Sequence, residues 1–411
     1  MDNPVYILGG AQSDFSTNWT KSNRNLFDLF SHTIHTALEE AKIDPVEIEV
    51  GHVGNFVAEL FTGQGMLGGW FGHVDERLAG IPTSRHEGAC ASGSLALLAA
   101  MADIQAGHYD LACVAGIELM RNVPGEKAAN YLGAAAWVGK EAQTSKYVWP
   151  AMFSDLAQAY DDRYGLNHDH LFEISRINYD NASRNPNAQS RKWQFTDKSF
   201  SHDDEANPVI EGWMRRHDCA QVTDGAAVVF LASETKARAY AKSHNIPFET
   251  LPRIDGWGHT TAPMLLETKL NNSQDKDYIL PWTRKAITDA FTRAGINGPD
   301  ELDLVETHDC FSITEYMAIE HFGITAPGEG WKAVEEGRIA MDGDIPFNPS
   351  GGLIGLGHPV GATGVRMLLD VAKQVTNHAG DYQVEGARTG ATYNVGGSGT
   401  TNCSFIVRCE Q

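Results

Sequence analysis

The chain has 411 residues, 42% hydrophobic and 21% charged, a globular balance in a chain long enough for two or three packed units. Its formal net charge of −21 excludes the basic surface that nucleic acid or an anionic membrane demands, so neither is expected as a partner. No apolar run reaches the ~18–20 residues that span a bilayer.

Residues 1–8 lack the basic, then apolar, pattern of a signal peptide, and residues 408–411 carry no retention or peroxisomal address. A cytoplasmic protein is expected, with residues 1–8 entering the fold as a first strand. The charge is uneven: residues 118–217 hold 12 Lys and Arg against 14 Asp and Glu. That near-neutral stretch is where a ligand phosphate would be tolerated best. Six cysteines, at 90, 113, 219, 310, 403 and 409, show no Cys-x-x-Cys spacing. Neither a disulfide framework nor a zinc site is expected, and Cys113 and Cys403 read as strand interior.

In chain order, residues 35–43 read as the end of a helix and residues 47–52 as the strand after it. Residues 287–296 and 302–307 repeat that pattern, at an offset of 253 for Ile43 and Ile296 and 255 for Val50 and Val305. A second pair follows in the same order. A small-residue helix opening at Ala91-Ser92-Gly93-Ser94 matches one at Gly361-Ala362-Thr363-Gly364, each with a strand after it, at 111–116 and 391–395. Two pairs in one order point to a duplicated α/β unit with mixed, mostly parallel sheets covered on both faces. The first half is the longer because of an insertion rich in Trp, Tyr, Asn and Arg, expected to be partly helical and to lie over a site. The expected boundaries are 1–117 with 218–245, the insertion 118–217, and 246–411.

Four clusters carry chemistry. Cys90 precedes an apolar helix; free N–H groups at a helix start lower a thiol pKa and suit a thiolate nucleophile, although a buried structural cysteine is the simpler reading. His358 sits in a glycine-rich run, 351–364, that lets backbone approach a ligand; it also reads as a turn with a surface histidine. The run lacks the lysine and the spacing of a nucleotide-phosphate loop. By the repeat, Cys90 and His358 precede equivalent helices, so a pseudo-two-fold would bring them together. His308-Asp309-Cys310-Phe311 follows a strand end, where α/β sites gather. Asn394-Val395-Gly396-Gly397-Ser398-Gly399 offers glycine N–H groups for an oxyanion hole, or a plain turn between strands.

Together these motifs resemble the thiolase superfamily over essentially the whole chain: Tyr6-Ile7-Leu8-Gly9-Gly10-Ala11, then Cys90-Ala91-Ser92-Gly93, the run 221–227, His308–Phe311, 357–364 and 394–399. The HDCF form is similar to sterol-carrier-protein-type thiolases. The resemblance implies a five-layered αβαβα fold, coenzyme A thioesters as substrates with no tightly bound cofactor or metal, and an inserted loop domain holding the nucleotide. It implies that Cys90 is acylated and His358 is its general base. His308 and His358 would hold one thioester oxygen, and the N–H groups of Cys90 and Gly396 the other oxyanion, with Asn394 and Gly397 contacting substrate.

The chain departs from the family at one place. Many thiolases have a second cysteine where this chain has Asn394, and an amide cannot move a proton at carbon. Cys310 is the expected substitute. The implied activity is thiolytic cleavage of a 3-oxoacyl-CoA or the reverse Claisen condensation, in a homodimer or homotetramer. Alternatives are an acyltransferase or lyase acting with an OB-fold partner subunit, or a non-catalytic scaffold. The aromatic residues Tyr131, Trp137, Tyr147, Trp149 and Phe153 would line the acyl pocket or form the insertion's own core.

Overall fold

A computed structural model describes residues 3–410; Met1, Asp2 and Gln411, part of the expectations for the two ends, lie outside them. The strands are β1 (Val5–Gln12), β2 (Val50–Gly54), β3 (Thr83–His86), β4 (Leu111–Glu118), β5 (Val209–Glu211), β6 (Met214–Arg215), β7 (Gly225–Ser233), β8 (Arg253–Thr261), β9 (Leu304–Thr307), β10 (Thr389–Gly396) and β11 (Thr401–Arg408). Nine of them run in the order β3-β2-β4-β7-β1-β8-β11-β10-β9, and β5-β6 form a separate hairpin.

The order is the duplication made visible. In the first half β2 and β4 are parallel, and β4–β7 and β7–β1 are antiparallel. In the second half β9 and β10 are parallel, and β10–β11 and β11–β8 are antiparallel. The two runs meet at β1–β8 through the pairs Val5↔Ile254 and Tyr6↔Arg253. The counterpart of β3 is hidden from sequence because it is reduced to a single parallel bridge, Val305↔Phe347. Both expected strands start later than read: residues 45–47 form a turn of 3-10 helix before β2, with Pro45 at its first position, and Pro299–Glu301 does the same before β9.

Helix Leu26–Ala41 buries Leu26, Leu29, Phe30, Thr33, Ile34, Ala37, Leu38 and Ala41, the spacing of one apolar face. Asn25 and Asp28 close a capping box at its start and Lys42 stops it in the left-handed region. Its counterpart, Pro281–Ala294, starts on proline and stops at Gly295, φ 69°. These helices cover the outer faces of their half-sheets. Between the half-sheets lie helices Ser92–Gln105 and Thr363–Val375, whose apolar faces share one core with Val50, Val114, Val229, Ile254, Leu304 and Phe405. The result is the expected five-layered α/β arrangement. Strand β4 is buried at every residue, as a strand covered on both faces must be. Among the described residues no helix is long and apolar enough to cross a membrane.

The helix starts of the two halves interlock through glycine. A Cβ on Gly93 would lie 2.8 Å from the Gly361 carbonyl oxygen; one on Gly361 would lie 2.5 Å from the Ile117 oxygen and 2.7 Å from the Asn55 Cα. Backbone cannot yield as a flexible side chain does, so Gly361→Ala is expected to cost about 1–3 kcal/mol by overpacking. The check is a lower denaturant midpoint at unchanged slope; an unchanged midpoint would mean that the halves do not meet this tightly.

Candidate active site

Cys90 lies in a turn, Ala89–Ala91, that leads into helix Ser92–Gln105. Ala89 takes φ 52°, a costly conformation for a residue with a Cβ and one found at functional sites. The strain is held by neighbours: the Ala89 N–H donates to Glu87 Oε1 at 2.6 Å, and Ser92 Oγ accepts from the Gly88 N–H at 3.0 Å and donates to the Ala89 carbonyl at 2.6 Å. Cys90 is partly exposed as a residue and the other five cysteines are buried; all six are free.

One donor atom each from Cys90, His308 and His358 lies within 4.8 Å of the other two. The pairing expected from the repeat is therefore present, and a third group joins it. Such a set could hold a soft metal ion, an option invisible in sequence because the three come from separate loops. The imidazole rings stand at 90° with centroids 5.2 Å apart.

Hydrogen bonds assign a different tautomer to each histidine. Thr363 Oγ1 donates to the Pro359 carbonyl at 3.1 Å and contacts His358 Nδ1 at 2.8 Å. It therefore accepts from Nδ1–H, leaving the His358 Nε2 lone pair free. Asn394 Nδ2 donates to the Cys90 carbonyl at 3.1 Å and contacts His308 Nδ1 at 3.0 Å. Nδ1 of His308 therefore accepts, and its proton sits on Nε2, which has no partner among the described residues. One ring offers a base and the other a hydrogen-bond donor.

Burial, followed by the Arg366 charge, pushes His358 down to about 3. Burial, then His358 and Arg366, holds His308 well below the usual histidine range. Both rings are neutral at pH 7. The expected thiolate is not present at rest: burial first, then the Glu118 carboxylate, pushes the Cys90 thiol up to about 12, against the N–H groups of Gly397 and of Cys90 itself. The N–H groups at the helix start do not offset the desolvation and the two carboxylates, Glu118 and Glu87.

Asp309 and Thr223 fix the loops. The Asp309 carboxylate accepts from the N–H of Leu353 at 2.5 Å and of Ile354 at 3.0 Å, tying the 308–311 segment to the glycine-rich run. The His358 N–H donates to Thr223 Oγ1 at 3.0 Å. Glu118, pushed up to about 7 by burial, accepts from the Phe56 and Gly361 N–H groups at 2.9 and 3.1 Å, so it joins the halves at the site. Glu118 carried no sequence signal, because its partners Phe56 and Gly361 are distant in the chain; Thr363 lies within the glycine-rich run, but its bond to His358 was not foreseen.

The site opens into a cavity of about 480 Å³ lined by Cys90, Cys310, His358, Gly397, Arg216 and an apolar wall that includes Phe56, Leu132, Trp149, Phe153, Ile210 and Phe311. Tyr147 is also in the wall, while Trp137 is 41% exposed and Tyr131 packs edge-on to Phe61. Cys219 lines the cavity too, a third thiol that sequence did not single out.

Gly397, at φ 63°, turns its N–H to the Cys90 sulfur. Its neighbour Gly396, the expected oxyanion donor, packs on the backbone: a Cβ there would sit 2.0 Å from the Gly88 carbonyl oxygen. Asn394 is 1% exposed and its amide is consumed by Cys90, His308 and Ser94. It orients the histidine and does not line the cavity.

Both halves match thiolase models: "Thiolase, N-terminal domain" over residues 5–235 and "Thiolase C-terminal domain-like" over 266–408. An acetyl-CoA acetyltransferase of Methanothermobacter thermautotrophicus is 34% identical over 403 residues, 98% of this chain and 98% of that protein. Sterol carrier protein 2 of Bos taurus is 29% identical, covering 96% of this chain and 70% of that protein. Among solved structures, an Ltp2-ChsH2(DUF35) aldolase shares the fold, with a TM-score of 0.78 at 17% identity over 99% of this chain and 98% of that one. The chain belongs to the thiolase family.

Proposed function

We propose that the protein is a coenzyme A-dependent thiolase that cleaves 3-oxoacyl-CoA through an acyl group carried on Cys90. The observation that carries this reading is the convergence of Cys90, His308 and His358, one donor atom of each within 4.8 Å of the others, beside an apolar cavity.

Cys90 attacks the 3-oxo carbon while its proton passes to His358 Nε2. A thiol near 12 and an imidazole near 3 do not exchange the proton beforehand, so transfer accompanies C–S bond formation. The N–H groups of Gly397 and Cys90 meet the developing oxyanion. The C2–C3 bond then breaks toward C2, and His308 Nε2–H holds the enolate oxygen. Cys310 gives its proton to C2. Its thiolate takes the proton of incoming CoA, whose sulfur attacks the acyl-enzyme and releases Cys90, which recovers its proton from His358.

Burial first, then the charges of Cys90 and Asp309, holds the Cys310 thiol well above its usual range. It is therefore protonated at rest, the form that the transfer to C2 requires.

The retained Cys90 and His358 speak against the lyase reading, although the aldolase of similar fold is named with a DUF35 component. A homodimer is supported by β3, an edge strand with Thr83 and Ser84 exposed. Arg216 in the cavity wall supports residues 118–217 as the loop domain that meets the coenzyme's phosphates, between halves at 1–117 with 218–245 and 246–411. Six free thiols fit a reducing compartment, the cytoplasm.

The test is a thiolysis panel of 3-oxoacyl-CoA chain lengths with CoA. Cleavage of at least one is expected at kcat/KM of about 10⁴ M⁻¹s⁻¹ or more; no cleavage at any length would overturn the reading.

A further inference from the structure

Lys269 is 3% exposed and, among the described residues, pairs with no carboxylate in an ion pair. Burying an ammonium is costly unless its donors are satisfied, and here all three are. Nζ donates to the Met264 carbonyl at 2.9 Å, to Ser398 Oγ at 2.7 Å and to Thr400 Oγ1 at 2.9 Å. Two of the three acceptors belong to the turn between β10 and β11, the turn that begins at Gly397. A methionine would fill the same space without a charge to desolvate, so packing alone does not account for the lysine. What the charge adds is a rigid three-point clamp on this turn.

We propose that Lys269 is a positioning residue for acyl transfer: its ammonium holds residues 398–400 so that the Gly397 N–H stays aimed at the reacting centre on Cys90. The inference rests on the reading of Cys90 as the acylated group. Neighbouring contacts fit the same purpose. Thr400 N–H donates to the Gly396 carbonyl at 3.1 Å, and the Ala262 N–H donates to the Thr400 carbonyl at 2.8 Å, so a shift of Thr400 is passed directly to the Gly396–Gly397 peptide.

The clamp is also titratable. Burial pulls the Lys269 ammonium down to about 8, opposed by the Glu141 carboxylate of the inserted segment. That carboxylate is fixed by the Leu266 and Trp137 N–H groups, each at 2.8 Å. Lys269 and Lys276 share the wall of a cleft of about 290 Å³ beside Trp282, which gives the proton a way out. The neutral amine keeps two donors for three acceptors, so the clamp is complete below pH 8 and loosens as pH rises through it. Cys90 and His358 titrate far from that window.

The test compares wild type, Lys269→Met, Thr400→Val and Thr400→Ser by the rate of Cys90 acylation from acyl-CoA across pH, and by alkylation of Cys90 with iodoacetamide at pH 7. Lys269→Met is expected to slow acylation about 10–100-fold with KM nearly unchanged, to abolish the fall above pH 8, and to slow alkylation. Thr400→Val follows in the same direction and Thr400→Ser restores the rate. Acylation by Lys269→Met within about twofold of wild type, with the alkaline fall intact, would overturn the proposal. If that variant does not fold, Thr400→Val at the wild-type rate would overturn it equally. If the wild type itself takes no acyl group, the thiolase reading fails, and the alkylation rates alone decide the role of Lys269.

Discussion

With Cys90 replaced by alanine, turnover of 3-oxoacyl-CoA and CoA is expected to fall by about 10⁴-fold or more, because no other group takes over a covalent intermediate and catalytic units lose most of their rate with any member. Binding is expected to survive, since the apolar cavity wall is untouched, and so is folding. Cys90 is partly exposed as a residue and lines the cavity, and the strained Ala89 turn is held by Glu87 and Ser92. Steady-state kinetics beside a thermal melt checks this. A loss below about tenfold with an unchanged melt would mean that another thiol carries the acyl group.

Cys310→Ala separates the two half-reactions. The acyl group still passes from an acyl-CoA to Cys90, because that step uses His358 and the Gly397 N–H. Cleavage of the C2–C3 bond is expected to slow by about 10²–10⁴-fold, the usual worth of a positioned acid. Quenched-flow measurement of both steps in one variant is the check. Equal slowing of both would give Cys310 a structural role only. A loss found in Cys219→Ala and not in Cys310→Ala would move the proton to the other cysteine in the cavity wall.

The fold was legible where the duplication left two copies of a pattern to compare. The helix and strand pairs at 35–52 and 287–307 have matching partners in the two half-sheets. What failed to show was β3, its counterpart and β8: a single bridge at Phe347 leaves no strand-length run to read, and β8 holds two glycines and several polar residues among its nine. The histidines and Cys310 were legible because their chemistry sits in short contiguous motifs.

The state of the thiol was not, because a helix start is a local feature and desolvation is not. Burial of Cys90 beside Glu118 is set by residues that are far apart in the chain. The same holds for Lys269, whose partners Ser398 and Thr400 lie 129 and 131 residues away, and for Asn394. Its amide reads in sequence as a missing acid and in the fold as the group that fixes the proton of His308 on Nε2.

The most direct test is to acid-quench the wild-type protein during turnover of a 3-oxoacyl-CoA, digest it, and locate the acyl mass by peptide. The adduct is expected on the peptide that contains Cys90, at up to one per chain, and to disappear when excess CoA is added before the quench. An adduct on the Cys219 or Cys310 peptide, or turnover with no adduct on any peptide, would contradict the account.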